Sequence, residues 1–237
     1  MLYEDLLEDA ITDPRDGVER KAWILPPVGE AMGATLLLDG ELYVERVHAP
    51  KVIRRLRDER TISGGPAVFL GAGGGVARHR DFVCNPDYAA LVAGPVVDWI
   101  RGIYPDVDRI VLAGLSLSGL AAAYAATRHP DVFPRVICQS PSLWWERGRF
   151  GDDLPPAAKP GQEFWICVGN RETEKDVSHA PSGLRQELTQ IEGCERGAAA
   201  LRAKGYAVTY RQYDGGHDPA GWREDLALAL AWAWRAA

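Results

Sequence analysis

Short, unbroken runs of Val, Ile, Leu and Ala recur along this chain, each followed by a longer stretch of helical character, and no other feature limits its fold so strongly. The runs cover residues 21–25, 34–38, 67–70, 109–113, 135–138 and 164–168, with a seventh at 206–213 that alternates more between apolar and polar. Pieces this short, rich in β-branched residues, read as strands covered on both faces. Between them, residues 50–59, 86–101, 117–128, 183–204 and 219–236 have helix-like composition. The last of these spaces Leu226, Leu230 and Trp234 four apart as one apolar stripe. Strands that alternate with helices build parallel βα units. The expected fold is therefore α/β: a mostly parallel central sheet flanked by helices on both faces, in one domain over residues 1–237, with 1–20 as an N-terminal extension. Residues 146–162, ERGRFGDDLPPAAKPGQ, have the Gly, Pro and charge of a linker. Because the alternation resumes after them, they are expected to be a surface excursion near the carboxyl edge of the sheet.

Composition removes several classes of function. A chain of 237 residues can bury about 70% of its extended surface, so it needs no disulfide or metal staple. Its 27 Lys and Arg against 33 Asp and Glu give a net charge of −6, the reverse of the basic balance that nucleic acid or anionic membrane attracts. Neither is an expected partner. Cys84, Cys138, Cys167 and Cys194 are scattered singly, with no CxxC pair and no Cys/His cluster at zinc spacing, so reduced thiols and no metal site are expected. The acidic start, MLYEDLLEDAITDPRDG, is neither a secretory signal nor a transit peptide, and no apolar run approaches the 18 residues of a membrane helix. A cytoplasmic protein is expected.

Chemistry is concentrated in three segments. In Val111-Leu-Ala-Gly114-Leu-Ser116-Leu-Ser118-Gly119-Leu, an apolar strand turns through a serine between small residues into an Ala-rich helix. This is the pattern of a nucleophile elbow, where the serine sits on a sharp, strained strand-to-helix turn. Ser116 would project from the carboxyl edge of the sheet, with the Leu117 N–H facing a developing oxyanion. Ser118 stands where the motif usually has glycine. The plainer reading is a Gly/Ser helix start, or a phosphate loop. The second segment, Tyr213-Asp214-Gly215-Gly216-His217-Asp218, puts a histidine after the last strand and before the last helix, where a base for Ser116 would come from. Read alone, His217 is better explained as a capping or surface residue; paired with the elbow, the preference reverses. The third, Gly169-Asn-Arg-Glu172-Thr-Glu174-Lys-Asp176, supplies three carboxylates after a strand. Glu172 is nearest the strand end and is the first choice to orient the imidazole, with Glu174 and Asp176 as alternatives. His48, His79, His129 and His179 lack companions at metal spacing, and His129 reads as a helix-end residue. Gly71 to Gly75 lacks the Lys-Ser/Thr of a phosphate-binding loop.

With these segments in order, the chain resembles the esterase family of the α/β-hydrolase superfamily that includes enterochelin esterases, esterase D and the mycolyltransferases, and especially its enterochelin-esterase-like branch. The likeness rests on Arg20 to Pro27, Leu36 to Glu41, Arg78 to Asn85, Gly114 to Leu120, Cys138 to Trp145, Gly169 to Glu172 and Asp214 to Arg223, from about residue 20 to the C-terminus. It implies an α/β-hydrolase fold and a triad of Ser116, His217 and Glu172. It also implies a second oxyanion donor, the backbone N–H of Glu41, and substrate contacts at Arg78, Trp144 and Trp145; packing explains the two tryptophans equally well. Enterobactin-type siderophore esterases often carry a sizeable N-terminal domain, whereas here about 20 residues precede the first matched strand. Ser140-Pro141-Ser142 also replaces a more usual Ser-Gly-Ser.

The expected function is that of a serine carboxylic-ester hydrolase without cofactor or metal, acting on a small-molecule ester of which the siderophore type is one example. The same acyl-enzyme would serve an acyltransferase or a thioester hydrolase. A non-catalytic binding module on the hydrolase fold is the alternative from another class, and the intact Ser116, His217 and neighbouring carboxylate argue against it.

Overall fold

The computed structural model describes residues 6–29, 32–157, 161–179 and 183–235. Residues 1–5 of the acidic start and residue 236 of the expected last helix lie outside them. One sheet organises the described chain. Its strands are β1 (Leu7–Thr12), β2 (Glu19–Leu25), β3 (Gly33–Leu38), β4 (Ala67–Leu70), β5 (Arg109–Leu115), β6 (Arg135–Gln139), β7 (Glu163–Gly169) and, after a two-stranded hairpin of β8 (Val177–His179) and β9 (Leu184–Gln186), β10 (Ala207–Tyr213). They lie in the order β1-β2-β4-β3-β5-β6-β7-β10, and from β4 to β10 every pairing is parallel. The helices are α1 (Gly40–Leu42), α2 (Ala49–Asp58), α3 (Gly75–Asp81), α4 (Pro86–Leu91), α5 (Val97–Ile103), α6 (Ser116–Arg128), α7 (Arg149–Asp152), α8 (Gln190–Ala203) and α9 (Pro219–Ala233).

The continuous apolar runs are explained by burial on both faces. Successive side chains of a strand point to opposite sides, so Leu36 and Leu38 join one core with Leu112, Val136 and Ile166, covered by α6 and α8. Leu37 points the other way, joining Val111, Ala113, Ile137 and Trp165 beneath Val52, Ile53 and Leu56 of α2 and Leu226 and Leu230 of α9. Strand β10, at the sheet edge, keeps several side chains exposed, which accounts for its more alternating sequence.

Four expectations need correction. Residues 7–12, expected within an N-terminal extension, form a strand of the sheet: β1 pairs antiparallel with β2, because the six-residue connection can only reverse the chain. The helix expected over 183–204 is α8 alone. Thr189 caps it, its Oγ accepting the Glu192 N–H at 3.0 Å while the Glu192 carboxylate accepts the Thr189 N–H at 2.8 Å. The residues before it form β9. The helix expected over 86–101 widens to a π-helical turn at Val92–Val96 around Pro95, which has no N–H to donate. Finally, the stretch 146–162 is anchored rather than a pure surface excursion, since Phe150 and Leu154 are buried in the core.

Candidate active site

Chain direction reverses around β3: β4 is laid down on one side of it and β5 on the other. In open α/β sheets such a switch point leaves a crevice beyond the carboxyl ends of the strands. Here a cavity of about 500 Å³ opens beside Ser116, at the end of β5, and His217, which follows β10.

The Ser116 turn is strained and locally enforced. Ser116 has φ 51°, a left-handed backbone uncommon for a residue with a side chain. Gly114 permits the turn, since a Cβ there would lie 2.2 Å from the Ser118 carbonyl oxygen. The hydroxymethyl of Ser118, in the position usually held by glycine, is fully buried. It accepts the Leu115 N–H at 2.9 Å and donates to the Leu115 carbonyl at 2.7 Å, clamping the end of β5.

His217 is carried by the loop from β10 into α9, whose N-cap is Asp218, accepting the Ala220 N–H at 2.9 Å. That loop is laced to the one after β7. The Asn170 N–H donates to the Tyr213 carbonyl and the Arg171 N–H to the Gly215 carbonyl, each at 2.9 Å. The two loops approach so closely that a Cβ on Gly169 would lie 2.4 Å from the Gly215 oxygen. This lacing sets Glu172 against the imidazole: His217 Nδ1 is 2.6 Å from Glu172 Oε2, and His217 Nε2 is 2.9 Å from Ser116 Oγ. Trp222, one turn into α9, meets the imidazole edge to face at 4.8 Å.

The two alternative carboxylates lie elsewhere. Glu174 lines the cavity, and Asp176 sits 3.9 Å from Arg185 on the hairpin. Asp214 pairs with Arg171 in solvent. Leu117, Arg78 and Trp144 line the cavity. Arg78 holds the Asp39 carboxylate through Nε at 2.9 Å and Nη2 at 2.6 Å, and Asp39 itself has a left-handed backbone just before α1. Trp144 donates its indole N–H to Gln190 at 2.6 Å and stacks on His179, with ring centroids 5.2 Å apart. Trp145 departs from the expectation. It starts a 3-10 turn that sends its ring against the core with Arg149 over it, and it is not among the described residues lining the cavity. Glu41 does not line it either. Its carboxylate accepts the Ala72 N–H at 3.2 Å, while its backbone lies just past β3, beside the strand that leads into Ser116. That same carboxylate takes up the Ala72 N–H of the Gly71 to Gly75 turn, one of the groups a phosphate loop would need for an anion. His129 is the C-cap of α6, and burial lowers its pKa.

Four residues escaped the sequence reading. Ser140 and Tyr213 donate to Glu172, Trp222 donates to Ser140, and Gln190 donates to the Ser140 and Pro141 carbonyls at 2.5 and 2.7 Å, tying α8 to the loop that follows β6. The only signal was the place of Ser140 and Tyr213 at strand ends; Gln190 and Trp222, in the first turns of α8 and α9, had none. Burial pushes the Tyr213 phenol well above its usual pKa, so it remains a hydrogen-bond donor. Burial likewise raises the thiols, Cys84 to about 12 and Cys138, Cys167 and Cys194 further, which leaves none of them a ready nucleophile. Among the described residues no cluster of metal-ligating side chains occurs, and no helix is long and apolar enough to cross a membrane.

Sheet order, helices on both faces and a serine on the strained turn at the switch point define an α/β-hydrolase. The chain belongs to the esterase family whose model, described as "Putative esterase", matches residues 17–233. Among curated relatives, the iron(III) enterobactin esterase of Escherichia coli is 26% identical over 228 residues, 91% of this chain and 54% of its own length. That of Dickeya dadantii is 30% identical over 219 residues, 83% of this chain and 46% of its own length. The chain therefore spans about half the length of these relatives. The enterobactin esterase of Shigella flexneri, solved in the presence of enterobactin, superposes with a TM-score of 0.81 at 25% identity, over 97% of this chain and 59% of that one.

Proposed function

We propose that this chain is a serine carboxylic-ester hydrolase with Ser116 as nucleophile, His217 as general base and Glu172 as the carboxylate that orients the imidazole. The observation that carries the reading is the chain of two hydrogen bonds, 2.9 Å from Ser116 Oγ to His217 Nε2 and 2.6 Å from His217 Nδ1 to Glu172 Oε2, opening on a cavity. His217 takes the Ser116 proton as Oγ attacks the ester carbonyl, and the tetrahedral oxyanion is held by the backbone N–H of the cavity-lining Leu117; the second donor, implied by the family resemblance, is the backbone N–H of Glu41 just past β3, which does not itself line the cavity. On collapse the imidazolium returns the proton to the leaving alkoxide. A water, deprotonated by the same imidazole, then releases the acyl group from Ser116.

Every group in this sequence is a side chain or backbone donor of the chain itself, so the reaction calls for no metal or organic cofactor. The names of the relatives support a small-molecule substrate of the siderophore-ester type, whose ferric ion would be cargo. Arg78 and Trp144, which line the cavity, would contact it. Four free cysteines, three of them buried, suit a reducing, cytoplasmic setting.

The reading is tested by assaying hydrolysis of 4-nitrophenyl acetate and of ferric enterobactin. Ser116→Ala and His217→Ala should each lower kcat by several orders of magnitude, about 10³-fold or more, with near-UV circular dichroism unchanged. Glu172→Gln should cost less. A Ser116→Ala protein that retains near-native turnover contradicts the assignment.

A further inference from the structure

Four neighbouring parallel strands, β5, β6, β7 and β10, each end beside this site, yet the proposed triad draws on only three of them. The fourth, β6, leads directly into Ser140, whose environment is too specific for a loop residue. Ser140 is fully buried and has φ 40°, although it precedes Pro141, and a residue before proline is normally pushed to extended backbone. Its N–H donates to the Cys167 carbonyl at 2.8 Å and its carbonyl accepts from Gln190, so both neighbouring elements hold it in that conformation. The strained backbone aims its hydroxyl at the triad carboxylate: Ser140 Oγ donates to Glu172 Oε1 at 2.7 Å and accepts the Trp222 indole N–H at 3.0 Å.

We propose that Ser140, supported by Trp222 and Tyr213, is a positioning residue that holds Glu172 for His217. The reading rests on the proposed triad and extends it. Glu172 is 5% exposed, and a carboxylate so buried needs hydrogen-bond donors on both oxygens. Oε2 faces His217. On Oε1 converge the Gly169 N–H at 2.7 Å, the Ser140 hydroxyl at 2.7 Å and the Tyr213 hydroxyl at 3.2 Å. Gly169 holds the backbone end of the loop, while the two hydroxyls set the rotation of the carboxylate plane. Trp222 touches both partners, its N–H on Ser140 and its ring on His217, and so links the orientation of the carboxylate to that of the imidazole.

A double-mutant cycle on 4-nitrophenyl acetate hydrolysis tests this. Ser140→Ala should lower kcat by roughly 10- to 100-fold, the loss of one hydrogen bond to a buried charge, with KM changed by less than about twofold. Placed on Glu172→Gln, the same substitution should cost less than about twofold, because the group it acts through is already altered. If Ser140→Ala loses its near-UV circular dichroism, Tyr213→Phe goes through the same cycle and should show the same loss of effect in the Glu172→Gln background. Equal fold-losses in both backgrounds, or a single-variant kcat within about twofold of wild type, overturn the proposal. Wild-type protein is reacted with a fluorophosphonate in parallel. Labelling of Ser116 alongside equal losses removes only the role of Ser140, whereas a wild type that neither labels nor hydrolyses removes the triad reading and this proposal with it.

Discussion

Ser116 is strained so that its hydroxyl stands clear of the sheet, and the strain is held by neighbours whose own chemistry is narrow. Gly114 leaves no room for a Cβ, and Ser118 returns its hydroxyl to both polar groups of Leu115. In the sequence Ser118 looks like a departure from the elbow pattern. In the fold it is a side-chain clamp on the strand that carries the turn. Ser118→Ala should therefore destabilise the protein by about 1–3 kcal/mol, the cost of leaving a buried backbone group without its partner. Urea denaturation measures it, and a midpoint unchanged from wild type would deny Ser118 that role. Glu172 was legible for a plain reason, since a carboxylate three residues past a buried strand can reach a histidine on the next strand's loop. Ser140, Tyr213 and Trp222 were not, because their roles depend on which side of a strand end a hydroxyl or indole faces, and that is fixed by packing.

At the scale of elements, α3 presents Arg78 and His79 to the cavity and is fastened at its far end. Asp81, its last residue, ion-pairs with the buried Arg20 of β2, which also meets Asp13 of the β1–β2 turn at 3.1 Å and the Ala72 carbonyl at 2.6 Å. Removing one partner leaves a buried charge incompletely compensated, so Asp81→Asn should cost about 3 kcal/mol or more by denaturant titration. Arg15, bonded to Asp13 at 2.9 and 2.5 Å, holds that carboxyl well below the usual carboxylate range. Asp13 thus binds its proton more weakly folded than unfolded. Its contribution is complete above the unfolded value of about 4 and is lost as pH falls toward the folded one. An Asp13→Asn protein should show a flatter loss of stability below about pH 4 than wild type. This corner of the fold was hidden in the sequence, where 1–20 read as an extension: β1 is mostly exposed on the sheet edge, so it carries no long apolar run. Strands β3 to β7, buried on both faces, were legible to within about two residues at each end.

For the whole molecule, the central claim is convergence. Ser116 and His217 stand 101 residues apart in sequence and 2.9 Å apart in space, with Glu172 behind the imidazole, because β5, β6, β7 and β10 lie side by side and end at one edge. The order of motifs announced that arrangement, since the proposed nucleophile, acid and base each follow an apolar run and can meet only if those runs share a sheet. The shape of the cavity was not announced. It depends on the β8–β9 hairpin, on Gln190 and on the turn that separates Trp144 from Trp145, none of which has a periodic signature. The most direct measurement is reaction of the folded protein with a fluorophosphonate near neutral pH, followed by peptide mass spectrometry, with a urea-unfolded sample alongside. The account predicts one phosphonylated residue, Ser116, in the folded protein and none in the unfolded one. A folded protein left unlabelled, or labelled at another residue, would contradict it.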